Sequence, residues 1–387
     1  MRQWLLLTAS LAAGAFFYPL WLAVLTVVSI VIVFPLARLF AARRNASGIL
    51  WVAVLLITAA MFGARSEAFV QFWNKLAGRV QFAPAGPNVA ALIGTSYFVL
   101  RALSLWFDAA KGKAGTVTLG GVLAYLLFFP TFVSGPIDRY ARFSADIANP
   151  RPLDGATIDE ALWRGVFGLF KKVVLADTIA LLCWPQDVAH CLPRVHAMTT
   201  GQSWLAFYAY AVRIYLDFSG YTDLAIAVAL LLGVRAPENF RAPYGSRNIT
   251  EFWRRWHISL SEWLRDYIFL PTGIGLSRGI FKGQSLKAGG CAALFAFALC
   301  GLWHGATVNF LIWGLLHGAW VFAHKLYTEI GRTRYPGWLA WSRGNVAADA
   351  LAILLTFHGV AFTWIGFSTP DPAAAFAVMR KMVGLES

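Results

Sequence analysis

Long apolar blocks alternate with short polar connections along the whole chain. The longest block, "WLLLTASLAAGAFFYPLWLAVLTVVSIVIVF", begins at Trp4. A helix that spans the hydrocarbon core of a bilayer needs about 20 mostly apolar residues. This block is therefore long enough for two helices with a hinge near Pro19. Further blocks begin near Ile49, Val89, Leu119, Trp204, Gly289, Phe310 and Ala347. The pattern predicts roughly nine to eleven membrane segments, some of them short or re-entrant.

The composition agrees with a membrane protein. A mean hydropathy of +0.60 with 17 Trp and 30 Phe is not typical of a soluble domain. Backbone N–H and C=O groups in lipid must bond within the protein, so the segments are predicted to be helices. We expect one all-α, multi-pass membrane domain over residues 1–387.

The net charge of +14 is concentrated in the connections, in "ARLFAARRN", "KGKAG" and "RGIFKGQSLK". The positive-inside rule places such loops on the cytoplasmic side. Two interpretations stay open for this charge: it sets topology and contacts anionic lipid headgroups, or it attracts an acidic cytoplasmic partner. Nucleic acid is not an expected partner, because no basic segment lies on a soluble module.

The segment "CWPQDVAHCLPRVH" groups Cys183, His190, Cys191 and His196. Their spacing matches no standard zinc pattern, so we predict no metal site. An ordinary or disulfide-linked external loop is favoured, and the sequence does not decide whether Cys183 and Cys191 pair.

The most polar stretch of the chain is "NITEFWRRWHISLSEWLRDYIFLPTG". On a helix, its aromatic and leucine side chains fall on one face and its charges on the other. The apolar face comprises Phe252, Trp253, Trp256, Leu260, Trp263, Leu264 and Tyr267. Such a helix suits a membrane interface or a buried wall. His257 lies at the border of the two faces, and two interpretations stay open. Either a polar cavity meets the apolar protein there, or the segment is an interfacial anchor helix and the histidine is incidental.

His304 lies in the apolar run "ALCGLWHGATVNFLIWGLLHGAW". An ionisable group at membrane depth indicates function by default. Gly301 and Gly305 flank it, and glycines there allow close helix approach or a break that lines a cavity. His317 and His324 share a different helix face and are predicted to be packing or interface residues.

Other polar groups are assigned structural roles. Arg213 and Asp217 are spaced i, i+4 on a predicted helix, so mutual neutralisation is the simplest explanation. Asp223 has no obvious partner in the sequence. "GLSRG" matches a nucleophile-elbow string, but no strand precedes it, so Ser277 is not predicted to be a nucleophile.

Three segments in this order resemble the membrane-bound O-acyltransferase family: "YLDFSGYTDLAIAVALLLGVRAPENF", "RAPYGSRNITEFWRRWHISLSEWLRDYIF" and "GLWHG". The resemblance is to the bacterial branch that contains the D-alanyl transfer and alginate acetyltransferase proteins. "FPTFVSGPIDRYARF" and the chain length favour the D-alanyl side. "DFSGYTDLAIA" and "FWRRWHISLSEWLRDYIFLP" are similar to the alginate side. The D-alanyl side is favoured, so D-alanyl is the expected acyl group, and O-acetylation of a polysaccharide such as alginate or cellulose is the alternative. The resemblance also implies a location in the bacterial cytoplasmic (inner) membrane.

The resemblance implies a ring of tilted helices around a thinned centre crossed by a tunnel. The near-invariant histidine of the family matches His304, and a second position that is His or Asn matches His257. The implied reaction moves an acyl group from a cytoplasmic thioester to a hydroxyl of an envelope polymer such as teichoic acid. His304 is the expected general base. His257 is expected to orient a substrate or to stabilise the oxyanion. Trp256 and Trp303 adjoin the histidines, and tunnel walls and plain packing are equal alternatives for them.

The donor expected from the resemblance is an acyl thioester on the phosphopantetheine arm of an acidic carrier protein, with no tightly bound cofactor. We expect the carrier to dock on the basic, glycine-rich loop from Leu270 to Lys282, with Leu270, Ile274, Arg278 and Lys282 as contact residues. A further acyltransferase outside the membrane is another candidate partner. The competing classes are a transporter of the donor and a scaffold without catalysis. A transporter usually shows corresponding broken helices in two repeated halves, which the sequence lacks.

Overall fold

The computed structural model of the protein describes residues 2–17, 19–43, 47–63, 94–185, 188–338 and 345–385, together with residues 71, 75 and 340. Within these ranges every regular element is helical, which confirms the predicted all-α membrane fold. The contacts divide the chain into two compact units. The first consists of Met1–Phe167 and Tyr221–Pro237, and the second of Gly168–Gly220 and Glu238–Ser387. The single domain over residues 1–387 stays a prediction.

Nine α-helices of the described residues begin in the first unit. They are α1 (Arg2–Phe17), α2 (Pro19–Val28), α3 (Phe34–Ala42), α4 (Ser47–Gly63), α5 (Thr95–Ala110), α6 (Leu119–Leu126), α7 (Phe129–Phe132), α8 (Tyr140–Ala148) and α9 (Gly155–Leu169). A π-helical turn, Ser29–Val33, joins α2 to α3. Residue 18, between α1 and α2, lies outside the described residues, so the hinge near Pro19 stays a prediction.

Ten α-helices of the described residues begin in the second unit. They are α10 (Asp177–Ala180), α11 (Val188–Ala197), α12 (Thr200–Leu231), α13 (Ile249–Arg255), α14 (Ile258–Leu264), α15 (Leu270–Arg278), α16 (Ser285–His304), α17 (Val308–Arg334), α18 (Val346–Ser368) and α19 (Pro372–Met382). Several begin at residues that satisfy their first N–H groups. Asn248 accepts from Glu251 N at 2.9 Å, Asn345 from Ala347 N at 2.9 Å, and Asp371 from Ala374 N at 2.8 Å.

Four helical stretches are long and apolar enough to cross a membrane: Leu22–Ala42, Thr200–Leu231, Ser285–His304 and Val346–Ser368. Shorter apolar helices cover Trp4–Ala13 and Ser47–Gly63. The apolar blocks predicted near Trp204, Gly289 and Ala347 thus correspond to candidate spans. The block predicted to begin at Val89 starts outside the described residues. The total of nine to eleven segments stays a prediction.

The polar stretch predicted as one amphipathic helix is instead broken after Arg255. The side chains of the predicted apolar face are nevertheless all buried. The pattern therefore identified the buried side chains correctly and was wrong only in placing them on one continuous helix. Ser259, which one continuous helix would place on the same side as the charges, is buried as well. The segment from Leu270 to Lys282, predicted to be a loop, is helical over its first nine residues, which form α15.

Charged groups of the helices have partners other than those predicted. Asp217 forms its ion pair with Lys172, not with Arg213. Asp223, expected to lack a partner, lies 3.2 Å from Arg164. Both partners come from α9 and the π-helical segment that follows it, so spacing along α12 alone did not reveal them.

Cys183, Cys191, Cys291 and Cys300 are free thiols, so the disulfide alternative for Cys183 and Cys191 is wrong. Cys191 and His196 belong to α11 rather than to a loop. Among the described residues, no group of three His, Cys, Asp or Glu side chains has the arrangement to hold a metal ion.

Candidate active site

His257 occupies the break between α13 and α14. Its backbone is left-handed, with φ 43° and ψ 53°. A non-glycine residue in this region costs about 1–2 kcal/mol, so neighbouring contacts must hold it there. The side chain is 2% exposed. The turn thus directs an imidazole into the interior of the second unit, whereas a continuous helix would have placed it at the border of the polar and apolar faces.

The segment that holds this turn comes from Asn239. The main-chain oxygen of Asn239 accepts from Ile258 N at 2.9 Å. Its side-chain Oδ1 accepts from Ser259 N at 3.1 Å and from Ser259 Oγ at 2.8 Å. The same Oδ1 lies 3.2 Å from Nδ1 of His257. Asn239 is fully buried, and nothing in the segment "PENF" marks it in the sequence as a functional residue.

His304 is the last residue of α16. A side chain on Gly301 would overlap the carbonyl oxygen of Phe310, and one on Gly305 would overlap the Phe310 ring. The glycines therefore let α16 and α17 approach closely on either side of His304, as the sequence predicted. His304 is partly exposed, and the following residues Ala306–Val308 are exposed.

Trp303 links the two histidines. Its ring centroid lies 4.7 Å from that of His304 and 6.4 Å from that of His257. Phe367 lies 5.0 Å from His304, and Phe218 lies edge-on to His257 at 4.7 Å. The structure therefore brings His257, His304 and Trp303 into one aromatic cluster of the second unit.

The neighbouring Trp256 has a different environment. It is buried and packs against Tyr244, Phe252 and Trp364. Of the two predicted tryptophans, Trp303 contacts both histidines, and Trp256 belongs to the aromatic core that supports them.

His317 is a buried packing residue, as expected. Trp253 Nε1 donates to its Nδ1 at 3.2 Å, and its Nε2 lies 2.8 Å from Thr363 Oγ1. It therefore anchors α13 to α17 and α18 beneath the aromatic cluster.

The electrostatic environment distinguishes His257 from an exposed histidine. Burial, with a further contribution from the nearby His304, holds the pKa of the His257 imidazole well below its usual value. A neutral imidazole is therefore the resting form of His257. Neutral imidazole can accept a hydrogen bond or a proton through one nitrogen and donate through the other.

The four residues predicted to contact a donor lie along α15 and its C-terminal turn. Leu270 and Ile274 are 45% and 51% exposed, and Arg278 and Lys282 are exposed too. Leu270, Ile274 and Arg278 are four residues apart and share one helix face. The described structure shows an exposed apolar and basic strip there, separate from the histidine cluster along the chain.

The chain matches the model of the membrane-bound O-acyltransferase family over residues 50–365. It belongs to this family. The matched range contains His257, His304, Trp303 and Asn239.

The relatives are named for two kinds of transfer, O-acetyl transfer and D-alanyl transfer. A probable alginate O-acetylase AlgI of Pseudomonas syringae pv. tomato is 39% identical over 285 residues, which are 73% of this chain and 50% of that protein. A teichoic acid D-alanyltransferase of Bacillus subtilis is 30% identical over 282 residues, 73% of this chain and 69% of that protein. A peptidoglycan O-acetyltransferase of Helicobacter pylori is 33% identical over 267 residues, 67% of this chain and 46% of that protein. The chain spans about half the length of the alginate relatives it matches.

Proposed function

We propose that the protein is an O-acyltransferase that moves an acyl group from a thioester donor to a hydroxyl of an envelope polymer outside the membrane. The observation that carries this proposal is the meeting of His257 and His304 around Trp303. Two titratable rings in one aromatic cluster match what proton transfer to and from a hydroxyl requires. Family membership supports the same reaction class.

In the proposed reaction the acceptor hydroxyl attacks the carbonyl carbon of the thioester. His304 takes the hydroxyl proton as the new C–O bond forms, and the carbonyl oxygen becomes an oxyanion. The intermediate collapses, the C–S bond breaks, and the thiol leaves with the proton from the imidazolium. The products are an ester and a thiol, so the step needs no redox partner or metal ion. A positioned base of this kind contributes about 10²–10⁴-fold to the rate.

An acetyl group is the first candidate for the acyl group. The alginate and peptidoglycan relatives are named for O-acetyl transfer, and the alginate relative has the higher identity, 39% against 30% for the D-alanyl relative. D-alanine is the second candidate. It is favoured by the segment Phe129–Phe143, which is similar to the D-alanyl side of the family.

The proposed donor is a phosphopantetheine thioester on an acidic carrier protein in the cytoplasm. The exposed strip on α15 supports this partner, because it offers apolar side chains beside Arg278 and Lys282. A tunnel through a cytoplasmic membrane protein would let the donor thiol and the external polymer reach one centre. A second acyltransferase outside the membrane that receives the acyl group is compatible with the same chemistry.

The acyl group can be identified by expressing the protein in a host that lacks its own envelope acylation. Ester-linked groups are released from the purified envelope with mild alkali and identified by mass spectrometry, with empty-vector cells as the control. We expect protein-dependent release of acetate. Release of D-alanine instead would select the second candidate. No released acyl group in a host shown to supply both donors and a hydroxyl polymer would contradict the proposed function.

A further inference from the structure

Three donors converge on the side-chain oxygen of Asn239: the main-chain N–H of Ser259, the Ser259 hydroxyl, and Nδ1 of His257. The identity of the accepting atom follows from the first of them. A main-chain N–H can only donate, so the Asn239 atom that faces it is the carbonyl oxygen and not the amide nitrogen. The amide orientation, which distances alone do not define, is therefore fixed by the backbone.

The position of the proton on the His257 ring follows from this amide orientation. An amide oxygen only accepts hydrogen bonds, so Nδ1 of His257 must carry the proton in the 3.2 Å contact. In a neutral ring the lone pair then lies on Nε2. The hydrogen bond made by one ring nitrogen sets the state of the other.

We infer that Asn239 is a positioning residue that holds His257 as the Nδ1-protonated tautomer, so that Nε2 presents a hydrogen-bond acceptor to the substrates. The role of His257 as a reaction participant rests on the proposed function, but the tautomer does not. Because a lone pair cannot stabilise an oxyanion, His257 orients a substrate N–H or O–H group. The oxyanion is then stabilised by other donors. Of the roles that the sequence left open for His257, this selects orientation.

Asn239 also fixes where the ring lies. Its main-chain oxygen and its Oδ1 accept from the first two N–H groups of α14, at Ile258 and Ser259. These donors have no partners within the helix itself, so Asn239 caps α14 from a distant segment. The neighbouring main-chain contact, Arg241 N to Arg255 O at 3.0 Å, holds the end of α13 in the same way. One residue thus secures both the left-handed turn and the proton on its imidazole.

The second unit contains two natural controls. His317 receives a hydrogen bond at Nδ1 from Trp253, and Thr363 Oγ1 donates to Val360 O at 2.7 Å. The Nε2–H of His317 must therefore donate to Thr363, which makes His317 the opposite tautomer. Asn248 caps α13 as Asn239 caps α14, because its side-chain oxygen accepts from Glu251 N at 2.9 Å.

The test is ¹⁵N NMR of histidine-labelled protein in detergent or nanodiscs, which distinguishes the two neutral tautomers and the imidazolium. The chain has seven histidines, and the His257 signals are assigned by their loss in His257→Gln and His257→Asn. We expect Nδ1–H for His257 and Nε2–H for His317 at neutral pH. A His257 signal with the proton on Nε2, or an imidazolium signal, would overturn the inference without bearing on whether the protein transfers acyl groups.

Variants of Asn239 test whether this residue sets the tautomer of His257. Asn239→Ala should convert His257 to a mixture of tautomers, and Asn239→Asp, which keeps an accepting oxygen, should keep the proton on Nδ1. Asn248→Ala should lower the unfolding temperature by an amount similar to Asn239→Ala and leave the His257 signals unchanged. Acylation should fall at least tenfold in Asn239→Ala and recover in part in Asn239→Asp. Unchanged His257 signals in folded Asn239→Ala would show that Asn239 does not set the tautomer.

Discussion

Gly301 of α16, three residues before His304, packs directly against the main-chain carbonyl of Phe310 in α17. The contact is reciprocal, since Gly314 of α17 packs against the carbonyl of Phe297 in α16. Main-chain atoms of two helices cannot give way as the end of a flexible side chain can. The position of His304 therefore depends on the absence of side chains at this helix crossing.

We expect Gly301→Ala to destabilise the protein by about 1–3 kcal/mol, the usual cost of an overpacked contact, and to lower acylation by displacing His304. The matched control is Gly165→Ala in α9, where nothing lies within 4 Å of the added methyl group. Helix propensity alone makes that change stabilising by up to about 1 kcal/mol. Thermal unfolding in detergent measures both variants. Equal unfolding temperatures for the two would mean that the crossing is not tight.

At His257, the stability difference between a glycine and an alanine variant should have the opposite sign from that at an ordinary helical residue. Because φ is 43° there, His257→Gly should be more stable than His257→Ala by about 1 kcal/mol, although glycine is normally the poorer choice in a helix by a similar amount. Both variants remove the imidazole and should lose acylation alike. The comparison separates the strain of the turn from the chemistry of the ring. Greater stability of the alanine variant would indicate that the turn is not left-handed in solution.

The exposed strip on α15 is tested by charge. The double variant Arg278→Glu, Lys282→Glu should weaken binding of an acidic acyl-carrier protein, and the loss should be larger at low ionic strength, where screening is least. The control is Lys111→Glu, Lys113→Glu, which makes the same charge change on two exposed lysines after α5. Binding is measured over a salt series. Equal affinity and equal salt slope in the two double variants would place the donor elsewhere on the protein.

The fold class was predictable because apolar length alone determines it. The blocks near Trp204, Gly289 and Ala347 correspond to helices that are long and apolar enough to cross a membrane. The site was predictable only in part. His304 stands out as an ionisable group in an apolar run, and Gly301 and Gly305 signal close packing beside it.

The break at His257 could not be predicted from periodicity. The apolar positions from Phe252 to Tyr267 fit one helix, and the turn that interrupts them is stabilised by Asn239, which lies eighteen residues earlier in the chain. The partners of Asp217 and Asp223 were missed for the same reason, since Lys172 and Arg164 come from another helical segment. Contacts between distant segments leave no trace in the spacing of one helix.

The central claim is that His304 is the general base of acyl transfer, and polymer-bound ester in cells that express His304→Ala measures it most directly. Expression level and monodispersity in detergent are checked alongside, and His324→Ala in α17 serves as the histidine control. We predict that His304→Ala retains less than about a hundredth of wild-type acylation, because a lost base costs about 10²–10⁴-fold, while His324→Ala stays near wild type. Acylation above about a tenth of wild type in well-folded His304→Ala would contradict the assignment.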